Sequence, residues 1–286
     1  MRQAKTAVSF SVDQVVDSYW RFLARNHYDA HLKRFKDRLK ADQKAAEAEA
    51  IVFALLWSEK LHPDAYEDTG TGGPDFRCNP SPDEPFLVEA TSLDSISLSN
   101  KSGLPLKLTG AGGQAFSLVT AKLRSAAQGK ATQLGGHDMP GVLAITSAYD
   151  FAGLLMDRMA AHNLLTSDLQ IRVPFGMSGE SSYMTTDLRH AVFCRPTILD
   201  ASGDQMFSPC CRSVSAILLI TIYRSEVSVV GLLHPDAAHP FNPHLFPSVP
   251  YVRFRHWPVV RGKIEVEWIL GGTQHRGAVF EHRPIR

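Results

Sequence analysis

The sequence predicts an α/β fold in which helices dominate the first half of the chain and strands dominate the second. Residues 29–61 are rich in Ala, Lys and Glu and contain neither Pro nor Gly, a pattern typical of helices. Beyond residue 190, short runs of Val, Ile, Leu and aromatic residues are typical of strands. Strand and helix patterns alternate between these two regions, and this order favours a sheet with helices packed against it.

Helical segments open the chain. Ser11 and Gln14 have the spacing of a capping box, with Ser11 as the N-cap, and predict a helix that continues to about residue 25. Residues 29–61 predict one or two further helices, which the His62-Pro63 pair ends because the residue before a proline disfavours helical geometry.

The middle of the chain predicts a β-hairpin followed by alternating helices and strands. The turn-rich segment 79–85 separates a short extended segment at 75–78 from an apolar strand at 86–91. Residues 94–114 predict a polar loop, and loops of that length are often functional. The other predicted helices are 115–134 and 150–165, the other predicted strands are 142–146, 191–194, 214–223, 227–233, 251–254 and 264–270, and further loops are predicted at 176–187 and 234–250.

The composition is that of a folded protein, with 44% hydrophobic and 21% charged residues. Four cysteines occur without a CxxC pair, so neither a zinc ribbon nor a thioredoxin motif is supported, and reduced thiols are expected. No apolar run is long enough to span a membrane or to form a signal peptide. We therefore expect a cytoplasmic protein without a membrane partner.

Charge is unevenly distributed, although the whole chain carries a net charge of only +1. Residues 1–44 carry a net charge of +5, residues 251–286 carry +4, and residues 45–250 carry −8. Two basic flanks around an acidic middle could cradle a polyanion beside a carboxylate site. The alternative is an ordinary solvated helix face together with scattered arginines near the C-terminus.

Glu89 lies inside the apolar strand 86–91. Because side chains alternate along a strand, Val88 and Ala90 face one way, and Glu89 shares the opposite face with Thr91. A buried carboxylate is costly unless it is paired or binds a metal. The hairpin could bring Asp75 beside Glu89, where two carboxylates repel each other unless a cation lies between them. Oxygen ligands of this kind suit Mg²⁺ or Mn²⁺.

A structural role for the same carboxylates is the alternative. Asp75 and Glu89 could act as helix-capping or hairpin acids, for example with Glu89 in a salt bridge to Arg77. The order of elements around the hairpin favours the metal site over this alternative. An acidic helix precedes the turn, and a basic helix and a buried strand follow the apolar strand.

This order resembles the PD-(D/E)XK, or restriction-endonuclease-like, superfamily of nucleases over about residues 40–150. The first half of the motif is Pro74-Asp75, and the second is Glu89-Ala90-Thr91, where the family most often has E-x-K. The upstream helical acid of many members corresponds to Glu49, or less well to Glu47. The resemblance implies a three-layer core with a mixed sheet. It also implies Mg²⁺ or Mn²⁺ bound by Asp75, Glu89 and the Ala90 carbonyl, with Glu49 as an outer ligand.

Thr91 is the departure from the family motif, because a threonine cannot supply the lysine ammonium beside the attacking water. Some members of the family take that polar group from the following helix. The candidates here are Lys122, Lys130 and Gln133, of which Lys130 and Gln133 are favoured. Lys122 and Lys130 lie eight residues apart and so share one side of a helix.

The resemblance implies a metal-dependent endonuclease that hydrolyses phosphodiester bonds, of DNA rather than RNA, in a restriction or defence role. Thr91 leaves a second function open, a non-catalytic nucleic-acid-binding or interaction module with the same fold. A homodimer and a partner subunit of a larger system are further alternatives. No repeat or linker divides the chain, so 1–286 is predicted as one domain, with a helical extension at 1–40, the nuclease-like core at 41–150, and a helix with C-terminal strands at 151–286.

Overall fold

The fold is described from a computed structural model that covers most of the chain. The described residues are 11–67, 72–93, 113–147, 156–167, 170–172, 183–185, 188, 190–199, 205–223, 226–259, 263–270 and 273–281. The helices within these ranges are α1 (Val12–Arg25), α2 (Asp29–Ala41), α3 (Gln43–Ser58), α4 (Gly113–Lys130) and α5 (Arg158–Thr166).

The strands are more numerous than the helices. They are β1 (Pro63–Ala65), β2 (Phe76–Cys78), β3 (Phe86–Ser92), β4 (Gly141–Ser147), β5 (Gln170–Arg172), β6 (Tyr183–Thr185), β7 (Cys194–Leu199), β8 (Gln205–Pro209), β9 (Ala216–Tyr223), β10 (Glu226–Leu233), β11 (Tyr251–Phe254), β12 (Lys263–Leu270) and β13 (Thr273–Glu281).

Eleven of the described strands form one mixed sheet in the order β1-β2-β3-β4-β9-β10-β11-β12-β13-β6-β5. The neighbours β3, β4 and β9 are parallel, whereas β1, β2 and β3 are joined in antiparallel pairs. Strands β7 and β8 form a separate antiparallel hairpin. The chain is therefore a mixed α/β protein, as the sequence predicts.

Helices cover both faces of the sheet around β3 and β4. Val88 and Val142 belong to an apolar cluster with α1, α2 and α3. Leu87 and Leu143, their neighbours along the strands, belong to a second cluster with α4 and α5. Alternate side chains of a strand point to opposite faces, so these two clusters define three layers. Burial on both faces explains why β4 is an almost continuous apolar run.

The helical region 29–61 consists of two helices, α2 and α3, with Asp42 between them as the N-cap of α3. Its side chain accepts a hydrogen bond from the Ala45 N–H at 3.1 Å. The capping box predicted at the start of α1 is wrong. Ser11 is the N-cap residue, but its side chain makes no capping hydrogen bond.

The second half of the chain departs from the prediction in several places. The strand expected at 191–194 begins only at Cys194, because residues 192 and 193 form a bend. The loop expected at 176–187 contains β6. Residues 94–112 and 148–155, which hold most of the predicted long loop and the start of a predicted helix, lie outside the described residues. No helix in the described part of the chain is long and apolar enough to cross a membrane.

Candidate metal centre

Asp75 and Glu89 meet where β2 begins. Phe76 pairs with Val88 in the antiparallel β2–β3 hairpin, and the same register, continued by one residue, places Asp75 opposite Glu89. The Ala90 N–H donates to Asp75 Oδ2 at 2.7 Å, and the Tyr66 N–H donates to the Asp75 backbone carbonyl at 3.0 Å. The backbones on both sides therefore fix the position of Asp75.

Glu89 is buried with only 3% of its surface exposed. Lys130, the last residue of α4, donates from Nζ to Glu89 Oε1 at 2.7 Å. The second oxygen, Oε2, is buried and accepts no hydrogen bond from any described residue. The salt bridge of Glu89 is therefore made with Lys130 and not with Arg77, and one carboxylate oxygen is left available for another ligand.

Glu49 approaches the same region from α3 and is also buried. The Tyr19 hydroxyl donates to its Oε1 at 2.8 Å, and Arg38 Nη1 donates to its Oε2 at 2.6 Å. Glu47 instead accepts a hydrogen bond from Lys44 Nζ at 2.7 Å, within the same helix. Glu49 is therefore the upstream acid that faces the hairpin, with both of its oxygens already occupied.

Arg38 of α2 joins three carboxylates. Besides Glu49, its guanidinium lies 3.7 Å from Asp75 Oδ1 and 3.9 Å from Glu67 Oε2. Glu67 also forms an ion pair with Arg34, one helical turn before Arg38. The four acids Glu49, Glu67, Asp75 and Glu89, called the carboxylate cluster below, are thus held by cations from α2 on one side and by Lys130 on the other.

The electrostatics of the carboxylate cluster disfavour full ionisation. Burial raises the pKa of the Asp75 carboxyl well above its usual range, and the charges of Glu89 and Glu49 raise it further, against the opposing hydrogen bond from the Ala90 N–H. Burial also raises the pKa of Glu89, although Lys130 opposes this rise, and the pKa of Glu49, although Arg38 opposes it. A further cation among these carboxylates would stabilise their ionised forms and lower their pKa values.

The donor set fits a hard divalent cation at Asp75 and Glu89. Mg²⁺ and Mn²⁺ prefer carboxylate and carbonyl oxygens, and Glu89 Oε2 is a buried oxygen that lacks a partner among the described residues. Within the described ranges, no group of three or more His, Cys, Asp and Glu side chains is arranged to hold a metal ion. Both oxygens of Glu49 already accept hydrogen bonds, from Tyr19 and Arg38. Direct binding of a cation by Glu49 would require Arg38 to move away.

The other predicted residues are placed less closely. Thr91 pairs with Ile145 in β4, and its carbonyl lies 3.5 Å from Thr146 Oγ1. Gln133 lies in the turn after α4, where its Oε1 is buried without a hydrogen-bond partner among the described residues. Lys122 lies about 12 Å from Lys130 along the axis of α4, because an α-helix rises 1.5 Å per residue. Of the three candidates Lys122, Lys130 and Gln133, Lys130 is the one that the structure shows in contact with Glu89.

Sequence reasoning missed Tyr19, Arg34, Arg38 and Glu67. The i,i+4 spacing of Arg34 and Arg38 was a usable signal, because two such cations lie on one face of a helix. Nothing in the sequence indicated which acids that face would meet. The contacts of Tyr19 and Glu67 depend on how α1 and the segment after β1 pack, which no local pattern specifies.

Comparison with known proteins leaves the resemblance to the PD-(D/E)XK superfamily a prediction. The chain matches no protein-family model, no curated protein and no solved structure.

Proposed function

We propose that this chain is a metal-dependent nuclease of the PD-(D/E)XK type, which hydrolyses phosphodiester bonds of DNA rather than RNA in a restriction or defence role. The observation that carries the proposal is the buried pair of Asp75, directly before β2, and Glu89, in the adjacent strand β3, with Lys130 2.7 Å from Glu89. The proposal includes a restriction-endonuclease-like core formed by α3, the β2–β3 hairpin, α4 and β4.

The acidic pair and Lys130 have different roles in this proposal. Asp75 and Glu89, with the Ala90 carbonyl, would hold Mg²⁺ or Mn²⁺. Such a cation, when bound, lowers the pKa of a water molecule and neutralises charge that develops on a phosphate. The Lys130 ammonium, which has three donors, orients the attacking water and supplies positive charge beside the scissile phosphate.

The charge around the carboxylate cluster suits a polyanionic substrate. Helix α2, which sends Arg34 and Arg38 into the cluster, also carries the exposed residues Lys33, Asp37 and Lys40 on its outer side, a net charge of +1. Lysines on the surface of a protein that binds nucleic acid attract the phosphate backbone and release its counterions. Within the basic N-terminal flank, helix α2 thus lies next to the site.

Plasmid cleavage tests the proposal. Purified protein with Mg²⁺ or Mn²⁺ should nick supercoiled DNA, an Asp75→Ala variant should not, and chelation of the metal should stop the wild type. As a matched control, Asp17→Ala removes an acid from an exposed pair with Arg21 on α1 and should cleave as the wild type does. Equal cleavage by the wild type and Asp75→Ala would overturn the assignment.

A second candidate function is a nucleic-acid-binding or interaction module without catalysis. The observation in its favour is that Arg38 pairs with Glu49 and Lys130 pairs with Glu89, so the chain's own cations already compensate part of the carboxylate charge. This candidate expects salt-sensitive DNA binding that Asp75→Ala leaves unchanged, with no metal-dependent cleavage. Absence of binding at low salt would instead favour a partner subunit.

A further inference from the structure

Tyr66 lies in the same row of the sheet as the acidic pair, directly after β1, the outermost described strand. Ala65 pairs with Phe76 in the β1–β2 register. The next pair in that register is Tyr66 with Asp75, and the Tyr66 N–H donates to the Asp75 carbonyl at 3.0 Å. Asp75 in turn lies opposite Glu89. Neighbouring strands are about 4.8 Å apart, so the backbones of Tyr66 and Glu89 are about 10 Å apart.

The backbone around Tyr66 is held in place by contacts with α2. The next residue, Glu67, forms an ion pair with Arg34, and its carbonyl lies 2.8 Å from His31 Nε2. Glu67 is thus directed towards α2, whereas the Tyr66 ring lies against His137, which follows α4. A ring on a fixed backbone loses little conformational freedom when a ligand binds it, so more of the contact energy contributes to affinity.

The Tyr66 and His137 rings meet edge to face, with their centroids 6.1 Å apart and their planes at 66°. His137 follows the turn that begins after Lys130, so this contact joins the edge of the sheet to the helix that supplies the ammonium group. An edge-to-face contact covers at most one face of a ring, and 38% of Tyr66 is exposed. One aromatic face therefore remains available to a flat ligand beside the acidic pair.

We infer that Tyr66 stacks on an unpaired base of the strand that is cut, so that the substrate of the site is DNA that is single-stranded at the point of cleavage. The inference rests on the proposed nuclease function and adds the class of substrate. At a separation of about 10 Å, a phosphate beside Glu89 and a base on the Tyr66 ring can belong to the same nucleotide or to neighbouring ones. Stacking on an aromatic ring accepts any base, because every base has a π-face.

A fully paired duplex does not offer such a base, because each of its bases is already stacked between two neighbours. The duplex would first have to unpair and extrude a nucleotide, which costs free energy. Negative supercoiling favours local opening of a duplex, so nicking of supercoiled plasmid by the proposed nuclease is compatible with this substrate. Relaxed or linear duplex DNA should be cut more slowly than single-stranded DNA.

Binding of a labelled oligothymidine of about 12 nucleotides, measured by fluorescence anisotropy at low salt with a metal chelator present, tests the inference. The wild type should bind this single strand at least about 10-fold more tightly than the paired duplex of the same sequence. Tyr66→Leu should weaken binding of the single strand by about fivefold or more, because the stacking ring is lost. Tyr66→Phe keeps the ring without its hydroxyl and should bind within about twofold of the wild type.

Trp57→Leu is the matched control, since it removes another exposed aromatic side chain. Trp57 is 57% exposed and packs on Phe53 with ring centroids 5.7 Å apart. It lies eight residues after Glu49 on α3, about 12 Å away along the helix axis. Trp57→Leu should therefore bind the single strand within about twofold of the wild type.

Several results would overturn the stacking role of Tyr66. These are equal affinities of Tyr66→Leu and the wild type, a larger loss in Trp57→Leu, tighter binding of the duplex, and absence of binding at low salt. Because the assay contains no metal, it is read separately from cleavage. Weakened binding by Tyr66→Leu, together with cleavage that Asp75→Ala leaves unchanged, would support stacking and overturn the nuclease assignment alone. Cleavage that requires Asp75, with unchanged binding by Tyr66→Leu, would overturn the stacking role alone.

Discussion

Lys130 and Glu89 are 41 residues apart in sequence, yet the Lys130 ammonium lies 2.7 Å from a Glu89 carboxylate oxygen. The contact joins the end of α4 to the middle of β3, two residues before Thr91, the position at which the proposed family most often has a lysine. A cation is therefore present beside the acid, although it comes from the helix that follows the strand.

Lys130→Ala should remove most of the cleavage activity in the proposed nuclease. We expect a rate at least about 100-fold below that of the wild type, because the group that orients the water is lost. Lys122→Ala, which alters the same helix about 12 Å away, should retain its rate to within about threefold. Plasmid-nicking rates under identical metal and salt conditions measure both variants. The reverse ranking would assign the cationic role to Lys122.

Arg38→Gln should destabilise the metal-free protein by about 2 kcal/mol, because the acids of the carboxylate cluster lose the cation that they share. Mn²⁺ should then raise the melting temperature of Arg38→Gln by more than that of the wild type, since the ion no longer competes with a guanidinium. Arg21→Gln, in an exposed pair with Asp17, should change stability by no more than about 0.5 kcal/mol. Thermal unfolding with and without Mn²⁺ tests this, and equal shifts would contradict it.

Asp75→Asn should stabilise the metal-free protein while abolishing cleavage. The pKa of Asp75 is raised in the folded state, so its ionisation at neutral pH costs stability that the neutral amide does not. We expect a gain of about 1 kcal/mol at pH 8. The gain should shrink as the pH falls and wild-type Asp75 takes up a proton. Urea unfolding at several pH values measures it, and a loss of stability at pH 8 would contradict the electrostatic account.

His234 should make the protein less stable in acid. Its Nε2 donates to the Cys210 carbonyl at 2.8 Å, and its Nδ1 accepts from the Asp236 N–H at 2.9 Å, so the buried ring fits only when neutral. Burial lowers its pKa from 6.5 to about 4. The unfolded chain therefore binds more protons over this interval, and stability falls from about pH 6.5 to pH 4, by up to about 3 kcal/mol from this residue.

Substitution of His234 checks the source of that acid sensitivity. His234→Gln should be less stable than the wild type at pH 7.5, and the difference should narrow at pH 4.5. His244→Gln alters an exposed ring and should follow the wild-type dependence. Urea unfolding at the two pH values separates the variants. An unchanged difference between His234→Gln and the wild type would assign the acid sensitivity to other groups, such as the buried His162.

The local elements of the candidate site were predictable from sequence because short-range rules determine them. The turn at 79–85 specifies the β2–β3 hairpin. Strand alternation then points the side chains of Val88 and Glu89 to opposite faces of the sheet. Lys130 was among three candidates because some members of the family that the sequence resembles take the cationic group from the helix that follows the strand. Which of the three reaches Glu89 depends on the angle at which α4 packs on the sheet. That angle is determined by side chains of both the helix and the sheet.

The remaining parts of the site and the fold depend on long-range pairing. β13 joins β12 through a hairpin whose strand lacks a long apolar run, and β6 joins β13 across nearly 100 residues. The contact between Arg38 and Asp75 likewise requires α2 to lie across the start of β2. Basic residues on a helix are ordinary in solvent, so their charge alone did not indicate that two of them would be drawn into a buried cluster.

Helix α2 has a consequence for how this protein can be shortened. Residues 1–40 were predicted as an extension, but Phe35 on one side of α2 is buried in the apolar cluster beneath the sheet, and Arg38 on another side satisfies Glu49. A fragment that starts at Asp42 would expose that apolar surface and leave the acids of α3 and the hairpin without their guanidinium. Because Tyr19 of α1 also donates to Glu49, the smallest fragment with an intact site begins before α1, and a fragment trimmed to residues 41–150 would lack these contacts.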